Sequence, residues 1–184
     1  MVGQYKLKDL NGDNYLSDLD KYYVGTPQPI AYGGWINEVK WKWFDLNVLF
    51  NFALGRKMVN ASKYSLYSGP KFADLRELDF WEKPGDHADL AKIGLKSEIM
   101  VDNHIEKVHS VSLKQLTIGG ELPKGIAKKV GLKGARLFLT GENLFFLSNY
   151  SGDNPEVIDV YQGVDYGNSY PLPRKWTVGL TLSF

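Results

Sequence analysis

Cysteine is absent from the 184 residues, which excludes a disulfide framework and thiol catalysis without fixing a compartment. Charge of one sign is also lacking. Twenty-two basic and 21 acidic residues leave a net charge of +1, so no field for nucleic acid or for cationic partners is present. No run approaches the roughly 18 apolar residues of a spanning helix. Hydropathy averages do not detect alternating strands, so that lack does not bear on a β-barrel. The opening MVGQYKLKDL has no apolar stretch and no small-residue cleavage site, and no export signal is read there. Convincing amphipathic helices are scarce. Present instead are 14% aromatic residues and 19 glycines, the mark of a β-rich chain long enough for one domain with a sizeable core.

Five stretches alternate with the period of a strand. IAYGGWINEVKW sets Ala31, Gly33, Trp35, Val39 and Trp41 on one face, interrupted by Asn37. WFDLNVLFNFALG is the clearest: Phe44, Leu46, Val48, Phe50, Phe52 and Leu54 share one face, and Asp45, Asn47 and Asn51 the other. VHSVSLKQLTIGGEL changes phase between Leu113 and Leu116, which predicts a β-bulge near Lys114–Gln115. ARLFLTGENLFF sets Ala135, Leu137 and Leu139 against Arg136, Thr140 and Glu142. RKWTVGLTLSF sets Trp176, Val178, Leu180, Leu182 and Phe184 against Thr177, Gly179, Thr181 and Ser183.

The connections alternate short, long, short, long: a tight turn at Lys42, a stretch from Arg56 to Lys107, PKGIAKKVGLKG, and then the stretch ending in YPLP. Short turns on one side and long loops on the other are the habit of outer-membrane barrels. Five strands present the same apolar face, and no second set of strands is found to cover it. In water such a surface would aggregate; facing lipid it would not. Trp41, Trp43, Phe44, Phe145, Phe146, Trp176 and Phe184 lie near strand ends, where interfacial girdles belong. The fold expected is all-β, with antiparallel up-and-down strands. Phe44, Leu46, Val48, Phe50 and Phe52 are expected to face lipid, with Phe50 near the middle of the crossing.

In order, KDLNGDNYLSDLDKYYVGTPQPIAYGGW, FDLNVLFNFALGRKMVN, LKQLTIGGELPK, ARLFLTGENLFFLSNYSGDNPEV and GVDYGNSYPLPRKWTVGLTLSF resemble the C-terminal portion of SusC/RagA-type TonB-dependent outer-membrane transporters. The resemblance covers nearly the whole chain. It implies a transmembrane barrel of about 22 strands around a plug, of which residues 1–184 would supply about the last five strands, with plug and TonB box absent. Five strands cannot close a barrel, whose smallest examples need about eight. The implied function is import of large nutrients, glycans or peptides, across the bacterial outer membrane. The implied partners are a SusD-like surface lipoprotein, the TonB–ExbB–ExbD complex acting through the absent N-terminal regions, the outer-membrane assembly machinery and membrane lipid. Trp176, Val178, Leu180, Leu182 and Phe184 resemble the assembly signal of such barrels. The alternative is a soluble calcium-stabilised β binding module.

One constellation carries chemistry of its own. In DLNGDNYLSDLD, Asp9, Asn11, Asp13, the Tyr15 carbonyl, Ser17 and Asp20 fall on positions 1, 3, 5, 7, 9 and 12 of a calcium loop, oxygen donors for a hard cation. Asn14 stands where glycine makes the turn, and Asp20 replaces the bidentate glutamate, so calcium binding, if present, would be weak. An Asx-rich turn that binds nothing is the competing reading. His87, His104 and His109 read as solvated loop residues. Asp74, Glu77, Asp79 and Glu82 read as a charged external loop. Tyr64, Tyr67, Trp81 and Tyr161 are loop aromatics that could stack on sugars, pack the loops or meet a protein partner. No catalytic framework or nucleotide fingerprint appears, so neither an enzyme nor an organic cofactor is expected.

Overall fold

The computed structural model describes residues 2–61, 79–88, 90–93, 101–152, 154–158 and 161–184. Tyr64, Tyr67, Asp74 and Glu77 lie outside them. Six strands form one sheet: β1 (Ala31–Trp41), β2 (Phe44–Asn60), β3 (Ile105–Glu121), β4 (Gly134–Ser148), β5 (Val164–Asp165) and β6 (Lys175–Ser183). Their spatial order is β1-β2-β3-β4-β6, antiparallel throughout, and the two-residue β5 pairs in parallel with the end of β2. The five expected strands are all present. β5 was not foreseen, and Phe184 falls one residue beyond the end of β6.

β1 and β2 pair from Trp41↔Phe44 to Ala31↔Leu54. The turn between them is Lys42–Trp43, with Lys42 at φ 56°. β3 and β4 are joined through a short helix, α1 (Lys124–Lys129). These two connections mark the short end of the sheet, and the opposite end carries the long ones.

Two irregularities decide which way side chains point. Leu49 pairs with Gln115 and Phe50 with Leu113, so Lys114 is the extra residue of a bulge where the phase change predicted one. On β4 the same level holds Asn143, in the left-handed region at φ 52°. The second irregularity is at Gly55: Leu54 pairs with His109 and Arg56 with Val108, while Gly55 sits at φ 78°. A left-handed glycine inserts one residue and reverses the parity of the residues beyond it.

That reversal corrects the second strand. The sequence places Arg56 and Lys107 in a connection, whereas they are ladder residues. β2 and β3 are each 17 residues long, against the roughly 9–11 that a membrane crossing needs.

The packed core sits at the long end. Met58, Val108, Tyr150 and Ile158 form a buried cluster, built where the β4–β6 connection folds back over β2 and β3. Arg56, nearly fully buried, donates from Nε to the Pro27 carbonyl and from Nη1 to the Pro155 carbonyl, each at 2.9 Å. Asn60 donates to Glu106 and Ser151, and the Tyr150 hydroxyl donates to Asp165 at 2.9 Å. His104 is buried with its ring edge-on to Tyr5 at 5.8 Å, which corrects the solvated reading; His87 and His109 are exposed as expected.

Candidate functional site

The ladder register joins the apolar faces of the strands into one surface. Val39, Leu46, Ile118, Leu139 and Val178 lie side by side across β1, β2, β3, β4 and β6. One level toward the short end come Trp41, Phe44, Gly120, Leu137 and Leu180. Toward the long end, Trp35 stacks on Phe50 at 5.8 Å, and Phe50 meets Phe145 edge-on at 6.2 Å. The expected set Phe44, Leu46, Val48, Phe50 and Phe52 shares this surface. So do Trp176, Val178, Leu180 and Leu182, all exposed. Among the described residues no second layer covers it, as the soluble module would require.

Aromatic rows border the surface. From Trp41 to Trp35 is six residues, roughly 20 Å at a strand's rise, close to the roughly 25 Å apolar band of an outer-membrane barrel. Phe50 stands in the row of Trp35, and the level midway between the two rows falls between Leu46 and Val48.

The opposite face is polar and internally paired. Arg136 donates to Asp45 from Nε (3.2 Å) and Nη2 (2.5 Å), reaching across β3 above Gly119. A Cβ on Gly119 would lie 2.5 Å from Asp45 Oδ1, so that position must stay bare. Thr117 and Thr140 share a hydroxyl hydrogen bond at 2.9 Å, Asn47 donates to Glu38 at 2.9 Å, and Lys175 lies 3.6 Å from Glu142. Nearer the long end, Glu156 accepts from Ser112 Oγ and from Lys114 Nζ, both at 2.8 Å. The bulge thus aims Lys114 at the returning β4–β6 connection. Sequence reading missed all three ion pairs, Arg136–Asp45, Lys175–Glu142 and Lys114–Glu156, because each joins residues on different strands or connections.

The aspartate loop is organised by its own backbone. Asp9 accepts from the Gly12 and Asn14 amides at 2.6 and 2.8 Å, and Asp13 from the Tyr15 amide and the Asn11 side chain, each at 2.8 Å. Asp20 accepts from Leu10 and Ser17, also 2.8 Å each. Asn14 adopts φ 62°, the turn a calcium loop needs at that position. The hydrogen bonds from Ser17 and Leu10 hold the Asp20 carboxyl below the usual carboxylate range. The donors suit a hard cation, yet among the described residues no group of three or more His, Cys, Asp or Glu is placed to hold a metal ion. Trp81 packs against Gly3, Tyr161 is exposed, and Asp79 and Glu82 are exposed. Among the described residues no helix is long and apolar enough to cross a membrane, which leaves crossing by strands untouched.

No family model matches the chain. Among curated proteins it is 29% identical to TonB-dependent receptor P3 of Formosa agariphila over 96% of its length. It is 28% identical to TonB-dependent receptor P26 of the same organism over 100%, and 26% identical to TonB-dependent receptor SusC of Bacteroides thetaiotaomicron over 96%. The chain spans only 17–20% of the length of these relatives. Among solved structures it superposes on the RagAB peptide importer in the open-open state with a TM-score of 0.75 and 26% identity, covering 92% of this chain and 19% of that one. The closed-closed state gives the same values. By sequence and by fold, the chain matches about a fifth of a TonB-dependent receptor of the SusC/RagA type.

Proposed function

We propose that the chain is the C-terminal part of the wall of an outer-membrane barrel that imports large nutrients, glycans or peptides, presented by a SusD-like surface lipoprotein. The TonB–ExbB–ExbD complex would supply energy through parts of the protein outside this chain. The observation that carries the reading is the apolar surface running across five strands with no layer over it among the described residues. β1 and β6 both end the sheet with open edges, which further strands of the same barrel would take up. The polar face then lines the interior, and the long connections stand outside the cell.

The test is to delete the gene encoding this chain in its own organism and measure uptake of labelled oligopeptides and oligosaccharides. Loss of uptake of either class, reproduced by uncoupling the inner-membrane proton gradient, supports the reading. Unchanged uptake of both, with the protein in the soluble fraction, overturns it.

Two finer parts belong to the same reading. Trp176, Val178, Leu180, Leu182 and Phe184 act in assembly, so Phe184→Asp lowers the amount of protein in the outer membrane, Ser183→Ala does not, and molecules that assemble bind substrate normally. The loop Asp9–Asp20 binds calcium weakly on the outer side. Its support is the oxygen spacing together with the left-handed Asn14. Calorimetry of the assembled barrel should show a calcium signal that Asp9→Ala with Asp13→Ala removes; an unchanged signal would leave the loop as a turn only.

A further inference from the structure

The short end of the sheet is basic, apolar and aromatic at once. Residues 122–133 contain Lys124, Lys128, Lys129 and Lys133 and no acidic residue, and all four lysines are exposed. Ala127 is fully buried and fixes α1, and its carbonyl accepts from the Leu132 amide at 3.0 Å. That leaves Ile126 and Val130, one turn apart, 52% and 63% exposed. In the adjoining turn, the Lys42 amine sits 5.1 Å over the Trp41 ring, and both Trp41 and Trp43 are exposed.

The acidic groups near this end do not outweigh that charge. Asp45 is taken up by Arg136, and against the four lysines stand Glu121, the one exposed acidic side chain beside the connection among the described residues, and the carboxylate of Phe184, which follows the Ser183 that pairs with Lys133. The patch also continues the uncovered apolar surface, since Leu137 and Leu180 lie at the level of Trp41 and Phe44.

An amphipathic helix with exposed Ile and Val, flanking lysines and neighbouring tryptophans suits the plane where acyl chains meet headgroups. Charge selects which headgroups: lysines near a membrane surface favour anionic lipid, each by about fivefold, and the attraction is screened by salt. We propose that α1 and the Lys42–Trp43 turn form a docking surface for anionic phospholipid headgroups at the short-turn side of the membrane. This rests on the barrel reading above.

The experiment uses the full-length protein, purified in detergent and equilibrated with equal parts phosphatidylglycerol and phosphatidylcholine, with retained lipids counted by native mass spectrometry. The expected result is phosphatidylglycerol enriched roughly tenfold or more at low salt. The enrichment falls toward parity in the combined variant Lys124→Gln, Lys128→Gln, Lys129→Gln, Lys133→Gln. A control, Lys6→Gln with Lys8→Gln, removes two exposed charges that follow Tyr5, which packs on His104 at the long end of the sheet, and keeps the preference. Heat-modifiable migration on gels checks that each variant is a folded barrel. Enrichment that survives the fourfold variant, or that the control abolishes equally, overturns the proposal and leaves the barrel intact. Absence of heat-modifiable migration in the wild-type protein overturns the barrel reading, and the docking surface with it; a folded wild-type barrel that retains neither lipid overturns the docking surface alone.

Discussion

Leu46 and Met58 stand on the same strand, yet their surroundings have little in common. Around Leu46 the strand presents apolar side chains to one side and Asp45 and Asn47 to the other, with no packed layer on either among the described residues. Around Met58, which is fully buried, Val108, Tyr150 and Ile158 close over it, with Asn60 and Asp165 buried and hydrogen-bonded beside them. Gly55 separates the two regimes. Its bulge turns Arg56, Met58 and Asn60 toward the face that carried Asp45 and Asn47 below. A strand that crosses lipid satisfies its apolar face with solvent and needs no core. Once it rises into water, the same strand must bury apolar groups against protein, and the β4–β6 connection folds back to supply them. On the barrel reading proposed above, the difference is one of solvent, read within a single strand.

The sharpest way to break that comparison is a charge at the middle of the lower region. In the complete barrel, Val48→Arg should destabilise by about 2–4 kcal/mol, as cations on the lipid face do near the midplane. Asn47→Arg, next to it on the polar face within reach of Glu38, should be tolerated. Phe50→Arg, in the upper aromatic row, should fall between the two. Denaturant titration of refolded protein in vesicles measures all three. Equal damage from Val48→Arg and Asn47→Arg would end the distinction between faces.

Next in size is Met58→Ala. Truncating a fully buried methionine costs about 2 kcal/mol, the low end of its class, because the overlying connection can settle into the space. Hydrogen exchange should quicken for the amides of Tyr150 and Ile158 while the β1–β2 ladder keeps its protection. If protection falls equally along the lower ladder, the two regions are one cooperative unit and the contrast drawn at Gly55 is structural only.

The same contrast explains which features were legible in the sequence. The lower strands read directly because a strand with one wholly apolar face alternates without interruption, and the Lys114 bulge announced itself as a change of parity between Leu113 and Leu116. The upper part of β2 did not. After Gly55 the pattern restarts in the opposite phase, so Arg56 and Met58 look like the start of a loop. The core there draws on residues far apart in the chain: Met58 and Val108 are joined by Tyr150 and Ile158, and His104 is buried beside Tyr5. No local periodicity encodes such contacts. The Glu156 anchor was hidden for the same reason, since its partners Ser112 and Lys114 precede it by a whole strand. The sequence pattern of the aspartate loop was plain, and its turn at Asn14 formed as the pattern required.

Glu156→Gln tests the strap that joins the regions. It removes the charge that Lys114 meets while keeping an acceptor for Ser112, at a cost of roughly 1 kcal/mol. Limited proteolysis should show faster cleavage between Asn149 and Arg174, with barrel stability unchanged. Lys114→Met should produce the same phenotype, and the two together no more than either alone. Additive effects would mean that Lys114 and Glu156 act through different partners.

The smallest effect belongs to the aspartate loop, which neither region encloses. Asp20 is partly exposed, and its carboxyl is held below the ordinary carboxylate range by the amides of Ser17 and, next, Leu10. A carboxyl depressed in the folded loop binds its proton less readily there than in the unfolded chain. Its contribution is therefore complete above the usual carboxylate pKa and is lost as the pH falls through the depressed value. Acid should loosen residues Asp9–Asp20 before it affects the sheet, visible as broadening of the Leu10 and Ser17 amide signals in NMR spectra. Asp20→Asn should show that loosening already at neutral pH and respond little to further acid. A loop in Asp20→Asn that stays as ordered as the wild type at neutral pH would place its organisation with Asp9 and its bonds to Gly12 and Asn14 instead.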